Sequence, residues 1–162
     1  MVTKYAQKIS SVFHRNSTPG NKNGNRAQGA QSPGQPLSPD QCGVRIEAAL
    51  PPKVRANETL DLQCTIKNLR NVALASIRPN PVHVAYKWFD TKANVQLREE
   101  AARTALVQPI APGATVQQSV NVRKPSRPGH YVVRITLVQE QVAWFDDLDK
   151  SNVCDLAVEV SS

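Results

Sequence analysis

The chain has 162 residues with 20 lysines and arginines against 13 acids, a net charge of +7; this length supports one core of the usual domain size, about 100–150 residues. Residues 1–40 carry Lys4, Lys8, Arg15, Lys22 and Arg26 against Asp40 alone, so +4 of the +7 sits there, and the rest is spread among both signs without a Lys/Arg stripe. That distribution argues against a phosphate-tracking groove and against nucleic acid as a partner. No apolar run reaches the ~18 residues of a membrane span, and no apolar h-region marks a secretory signal, so a cytoplasmic chain is expected.

Val2, Tyr5, Ile9, Val12 and Phe13 recur at helical spacing with Lys4, Lys8 and Arg15 between them. Residues 1–15 are therefore read either as a short amphipathic helix, able to lie on an anionic inner-membrane surface or to dock on a partner, or as a frayed leader with accidental periodicity. Residues 16–40, NSTPGNKNGNRAQGAQSPGQPLSPD, are nearly empty of apolar side chains and dense in Gly, Pro, Asn, Gln and Ser. Such a segment cannot offset its ordering entropy, so a disordered linker is expected.

The period switches to two in residues 41–162. Val44, Ile46, Ala48 and Leu50 form the first alternating run, then Leu60, Leu62, Cys64 and Ile66, then Val82, Val84, Tyr86 and Trp88. Val116, Val120 and Val122 follow, then Tyr131, Val133, Ile135 and Leu137, and finally Cys154, Leu156, Val158 and Val160, with turn chemistry at Pro112-Gly113 and Pro128-Gly129. About seven half-buried strands without an intervening helical pattern predict an all-β fold, an antiparallel two-sheet sandwich of immunoglobulin type. Trp88 in the third strand and Tyr131 opening the penultimate one stand where such sandwiches keep a core indole and a tyrosine corner. The three cysteines, Cys42, Cys64 and Cys154, are an odd number at no metal-ligand spacing. Free thiols and no metal or cofactor are expected.

The strings VHVAYKWFD, Arg103-Thr104-Ala105-Leu106, IAPGATV and KPSRPGHYVVRITLVQEQVAWF resemble the immunoglobulin-like domain appended to bacterial glycosyltransferases and methyltransferases of surface-polysaccharide assembly. They are also similar to the carbohydrate-binding C-terminal domain of O-antigen ABC-transporter ATPases. The resemblance runs over residues 44–160 and is most specific from Tyr131 to Phe145. It implies an accessory role in lipopolysaccharide biosynthesis or export, with polysaccharide or a lipid-linked glycan as ligand and a glycosyltransferase or transporter subunit as partner. The chain departs from the family pattern at Thr91-Lys92-Ala93-Asn94, where a glycine is usual, and at Leu74 and Ile77, where a tryptophan often stands.

No catalytic set can be assembled from the residue order. His14, His83 and His130 lack a surrounding motif, and adjacent Glu99 and Glu100 point to opposite faces of a strand, so a non-enzyme is expected. Asp146, Asp147 and Asp149 near Glu140 fit no complete calcium loop and read as solvated turn acids. The stretch VQEQVAWFDDLD remains. Exposed aromatic rings stack on the C–H faces of sugars, and carboxylates and amides beside them hold hydroxyls; Trp144, Phe145, Gln139, Glu140 and Asp146 are thus the candidate ligand-binding residues. Parity separates Trp144 from Phe145, with Trp144 taken as the outward ring and Phe145 as the core anchor. Arg103 reads as a structural ion-pair partner. The alternative is an interaction module that docks on a protein partner without touching glycan.

Overall fold

Alternating burial is the organising pattern of the molecule. The computed structural model describes residues 31–162 apart from 52, 57–58 and 99–101. The helix considered for residues 1–15, the linker as far as residue 30, and Glu99 and Glu100 lie outside the described residues. A 3₁₀ turn, Pro39–Gln41, leads into β1 (Val44–Ala48), β2 (Lys53–Arg55), β3 (Thr59–Asn68), β4 (Val82–Asp90), β5 (Val95–Gln96), β6 (Thr104–Ala105), β7 (Thr115–Arg123), β8 (Gly129–Gln139), β9 (Ala143–Trp144), α1 (Phe145–Leu148) and β10 (Cys154–Ser161). A three-stranded sheet, β1-β3-β7, faces a larger one ordered β2-β10-β8-β4-β5, with β6 added beside β4 and β9 beside β8. This is an all-β, immunoglobulin-like sandwich. The expected antiparallel pairing holds except for β2, which runs parallel to β10. Among the described residues no helix is long and apolar enough to cross a membrane.

The core lies between the sheets. Ile46, Leu62, Cys64, Ile66, Val116, Val120 and Val122 from one sheet pack in a single cluster with Val82, Val84, Tyr86, Trp88, Tyr131, Val133, Ile135, Leu137, Val158 and Val160 from the other. Trp88 and Tyr131 are 3% and 4% exposed and meet edge to face with centroids 6.0 Å apart. Buried indoles and phenols need partners for their polar ends. Trp88 Nε1 donates to the Arg123 carbonyl at 2.9 Å, the Arg123 amide donates to Tyr86 Oη at 3.0 Å, and Tyr131 Oη donates to the Arg127 carbonyl at 3.0 Å. The first two bonds tie the end of β7 to β4 across the sandwich, and the third is the tyrosine corner.

Cys42, Cys64 and Cys154 are free thiols, as expected. Burial pushes Cys64 up to about 12 and Cys42 up to about 11, and it raises Cys154 as well. All three therefore stay protonated near neutral pH.

Residues 31–40 differ from the expected linker. Leu37 and Gly34 are buried, and Gly34 adopts φ +84 where a Cβ would collide with the carbonyl oxygens of Arg78 and Ile77. The side chain of Gln139 accepts from the Leu37 amide at 2.8 Å and donates to the carbonyls of Gln35 and Asn80 at 2.8 and 2.9 Å. One apolar side chain, one glycine and one buried amide suffice to dock a segment whose composition promises no core.

Trp88→Ala leaves a large core cavity and should lower the unfolding free energy by about 3–5 kcal/mol in urea titration. Comparing truncation at residue 30 with truncation at residue 40 isolates the docked segment. The longer truncation strips Gln139 of buried partners and should cost roughly 1–3 kcal/mol more than the shorter; equal stability of the two would show that the segment contributes nothing.

Candidate functional site

Strand register decides which side chains share the outer face of the larger sheet. Residues directly opposite on paired strands project to the same side. His83 of β4 stands opposite Val138 of β8, and Val138 stands opposite Trp144 of β9, so these three form one row across the sheet. Two residues along β4 from His83 comes Ala85, fully buried although it faces outward, and two further comes Lys87. On β8 the exposed–buried alternation also stops: Ile135 to Gln139 are buried without interruption. The cause is the chain between β8 and β10, which turns back over this face. Thr136 Oγ1 donates to the Asn152 carbonyl at 2.8 Å, and the Asn152 amide group bonds the Phe145 and Cys42 carbonyls and the Val44 amide.

The returning segment is fixed by charge. Lys87 Nζ donates to both carboxylate oxygens of Asp146 at 2.9 Å, and Asp147 lies 3.7 Å away. The side chains of Lys87 and Asp146 are only 10% and 2% exposed. Arg134 Nη1 approaches Asp146 at 3.9 Å while its guanidinium grips Asp155 in a bidentate pair at 2.8 and 2.7 Å. The half-buried indole of Trp144 then lies among cations, with Lys87 Nζ 4.3 Å and the Arg103 guanidinium carbon 4.6 Å from the ring centroid. Arg103 Nε in turn donates to Glu140 Oε1 at 2.9 Å, and His83 Nδ1 lies 3.2 Å from the same oxygen. Burial pushes the Glu140 carboxyl up, but the His83 and Arg103 hydrogen bonds and charges outweigh it and hold the group below its ordinary value.

The five sequence candidates therefore separate. Trp144 and Glu140 meet at one corner through Arg103, and both reach solvent, Glu140 with a third of its side chain exposed. Phe145 is fully buried in the core cluster, Gln139 is 2% exposed and spends its amide on the 31–40 segment and Asn80, and Asp146 is 2% exposed against Lys87. These three hold the corner in place and have no surface to offer a ligand. Asp146 is also not the solvated turn acid that its acidic neighbourhood suggests, because Lys87 neutralises it under cover. Among the described residues no group of three or more His, Cys, Asp or Glu could hold a metal ion.

Lys87 and the cation–π role of Arg103 were not foreseen. The signal for Lys87 is faint: it alternates outward beside Trp88, as any solvated lysine would. Beside the corner, an open groove is lined by Arg78, Pro79, Pro81, Glu140 and Gln141, so Glu140 belongs to both surfaces. The chemistry on offer is recognition: an aromatic ring, a paired carboxylate, guanidinium groups and two proline faces.

No family model matches the chain, and no curated protein matches it. Solved structures do. The chain is similar to the CARDB domain of the PF1109 protein from Pyrococcus furiosus in complex with di-metal ions, at 18% identity and TM-score 0.41 over 73% of this chain and 85% of that one. It is also similar to the β-glucosidase from Listeria innocua in complex with glucose, at 15% identity and TM-score 0.44, and there it spans 16% of the other chain for 74% of its own. The α-2-macroglobulin of E. coli aligns at 19% identity and TM-score 0.42 over 73% of this chain and 6% of that one. Likenesses this distant carry no function across.

The low pKa of Glu140 has a sign that can be checked. A carboxylate whose folded value is depressed contributes stability above its ordinary value of 4.5, and loses that contribution as pH falls through the lower folded value. Glu140→Gln should therefore be less stable than the parent at neutral pH and show a flatter loss of stability below about pH 4.5. Parallel acid limbs for the two proteins would mean that the His83 and Arg103 contacts contribute nothing to folding.

Proposed function

We propose that this immunoglobulin-like sandwich is a non-catalytic binding module that takes a glycan at the Trp144–Arg103–Glu140 corner during surface-polysaccharide biosynthesis or export. The observation that carries the reading is the half-buried indole of Trp144, held on the outer sheet face with Glu140 and Arg103 beside it and the Arg78–Pro79–Pro81 groove adjoining. Sugars pair a C–H face with a ring and hydroxyls with fixed charges, and this corner supplies both within one patch. Arg103 occupies part of the ring's surroundings, so an incoming sugar meets Arg103 and Glu140 together with the indole. The resemblance of the Tyr131-to-Phe145 stretch to polysaccharide-assembly domains supplies the pathway. It also suggests a site of action in the cytoplasm, at the inner membrane, alongside a glycosyltransferase or transporter subunit.

Titration of the full chain with bacterial polysaccharide fragments, followed by 15N-labelled amide and indole resonances, tests the reading. Trp144→Ala should abolish the shifts, Arg103→Ala should weaken binding at least tenfold, and Arg78→Ala should act in the same direction if the groove extends the site. If Trp144→Ala binds as the parent does, or if no fragment binds the parent, the corner is not a glycan site. The protein-docking reading then replaces it.

A further inference from the structure

Sheet edges expose unpaired backbone groups, and folded proteins guard them with short strands, charges, prolines, bulges or covering loops. Here nearly every edge is guarded. β5 has only two residues; β2 has three and carries Lys53 and Arg55; β1 displays Arg45 and Glu47, and its start is closed by Asn152, which bonds the Val44 amide and the Cys42 carbonyl.

β7 is the exception among the described strands. It is nine residues long and pairs only with β3, in an unbroken register from Thr115 to Arg123 without a bulge. Its outward side chains are Thr115, Gln117, Ser119, Asn121 and Arg123, so a charge stands only at the last position and no proline interrupts it. The amide and carbonyl of Arg123 turn away from β3, as their bonds to Tyr86 and Trp88 show. Backbone direction alternates along a strand, so Gln117, Ser119 and Asn121 turn theirs the same way. Among the described residues no backbone group outside β3 pairs with them.

A second observation lies beside this edge. Gln118 Oε1 accepts from the Val107 amide at 3.2 Å and Gln118 Nε2 donates to the Ala105 carbonyl at 3.1 Å, which holds the 105–107 segment against β7. Val107 is 66% exposed there, more than any other large apolar side chain described.

We propose that β7 is a self-association edge and that its occupant is the β7 strand of a second copy of this chain, antiparallel about a two-fold axis at Ser119. The residue pattern argues for this partner. In that register Ser119 faces Ser119, Gln117 faces Asn121 and Thr115 faces Arg123, so no like charges meet and amide side chains face one another across the junction. Gln117, Ser119 and Asn121 are also the residues whose backbone groups point outward, so both strands bring donors and acceptors to the same pairs. The contact is isologous and closed, joining two three-stranded sheets into one of six strands without leaving a β7 edge for further growth. It lies on the three-stranded sheet, whereas Trp144 belongs to the larger one.

Sedimentation equilibrium of the full chain tests it. The parent should shift from 17.8 kDa toward twice that mass over concentrations on the order of 10 μM to 1 mM, as suits a small edge contact. Ser119→Lys and Ser119→Asp each set like charges against one another at the axis and should stay monomeric, whereas an equimolar mixture of the two should dimerise. Gln117→Pro removes one outward amide while sparing the ladder with β3, and it should also be monomeric with an unchanged circular dichroism spectrum. A parent that is monomeric throughout, as it would be if the edge takes another segment of this chain or a foreign peptide, overturns the proposal. So does a dimer that survives Ser119→Lys or Gln117→Pro, or a mixture of the charged variants that fails to pair.

Discussion

The outer face of the larger sheet depends on one interaction, the pair between Lys87 and Asp146. A carboxylate 2% exposed is costly unless its charge is met at short range, and Lys87 meets it with both oxygens at 2.9 Å. Because Lys87 is on β4 and Asp146 is in the first turn of α1, the pair nails the β8–β10 connection across the sheet. The rest of that face is arranged around it, with the β8–β9 register and the Asn152 hydrogen bonds holding the same connection. Ala85 and Thr136 are covered, Phe145 reaches the core, and Trp144 is brought to the row of His83 and Val138 between the cations of Lys87 and Arg103. A buried ion pair adds little net stability compared with an apolar pair of the same shape, so its effect here is better described as choosing where the connection lies.

The inner face obeys a simpler rule. Apolar side chains from both sheets interlock, and the polar ends of Trp88, Tyr86 and Tyr131 are all directed to backbone groups around the end of β7 and the loop that follows it. Those bonds consume the outward backbone groups of Arg123, while among the described residues no backbone group outside β3 pairs with the middle of the strand.

Six long strands were legible in the sequence because period two is a local signal, and Trp88 and Tyr131 were legible because their place in the strand order is a property of the fold. The division between Trp144 and Phe145 was expected from strand alternation, but Phe145 opens α1 instead of continuing β9, and it is the turn into that helix that sends its ring inward. What escaped depends on partners far apart in the chain. Asp146 looks like a turn acid until Lys87, 59 residues earlier, is brought beneath it. Gln139 looks like a ligand-facing amide until the Leu37 amide, 102 residues away, occupies it. The segment from residue 31 to 40 has a linker's composition and nonetheless docks, because Gly34 and Leu37 fit a place that composition cannot reveal. β2, β5, β6 and β9 are two or three residues long, too short for any periodicity to register.

The dependence of the outer face on Lys87 and Asp146 is open to a double-mutant cycle by urea unfolding, with Lys87→Met, Asp146→Leu and the double variant. Each single change takes the short-range partner from a buried charge, leaving Asp147 3.7 Å from Lys87 or Arg134 3.9 Å from Asp146, and should cost up to about 3–5 kcal/mol, while the double change removes both charges. The account predicts that the double variant is more stable than the sum of the single losses implies by several kcal/mol, beyond the ~0.5 kcal/mol within which independent sites add. Additive losses would contradict it, and would mean that the connection carrying Trp144 is held on the sheet by something other than this pair.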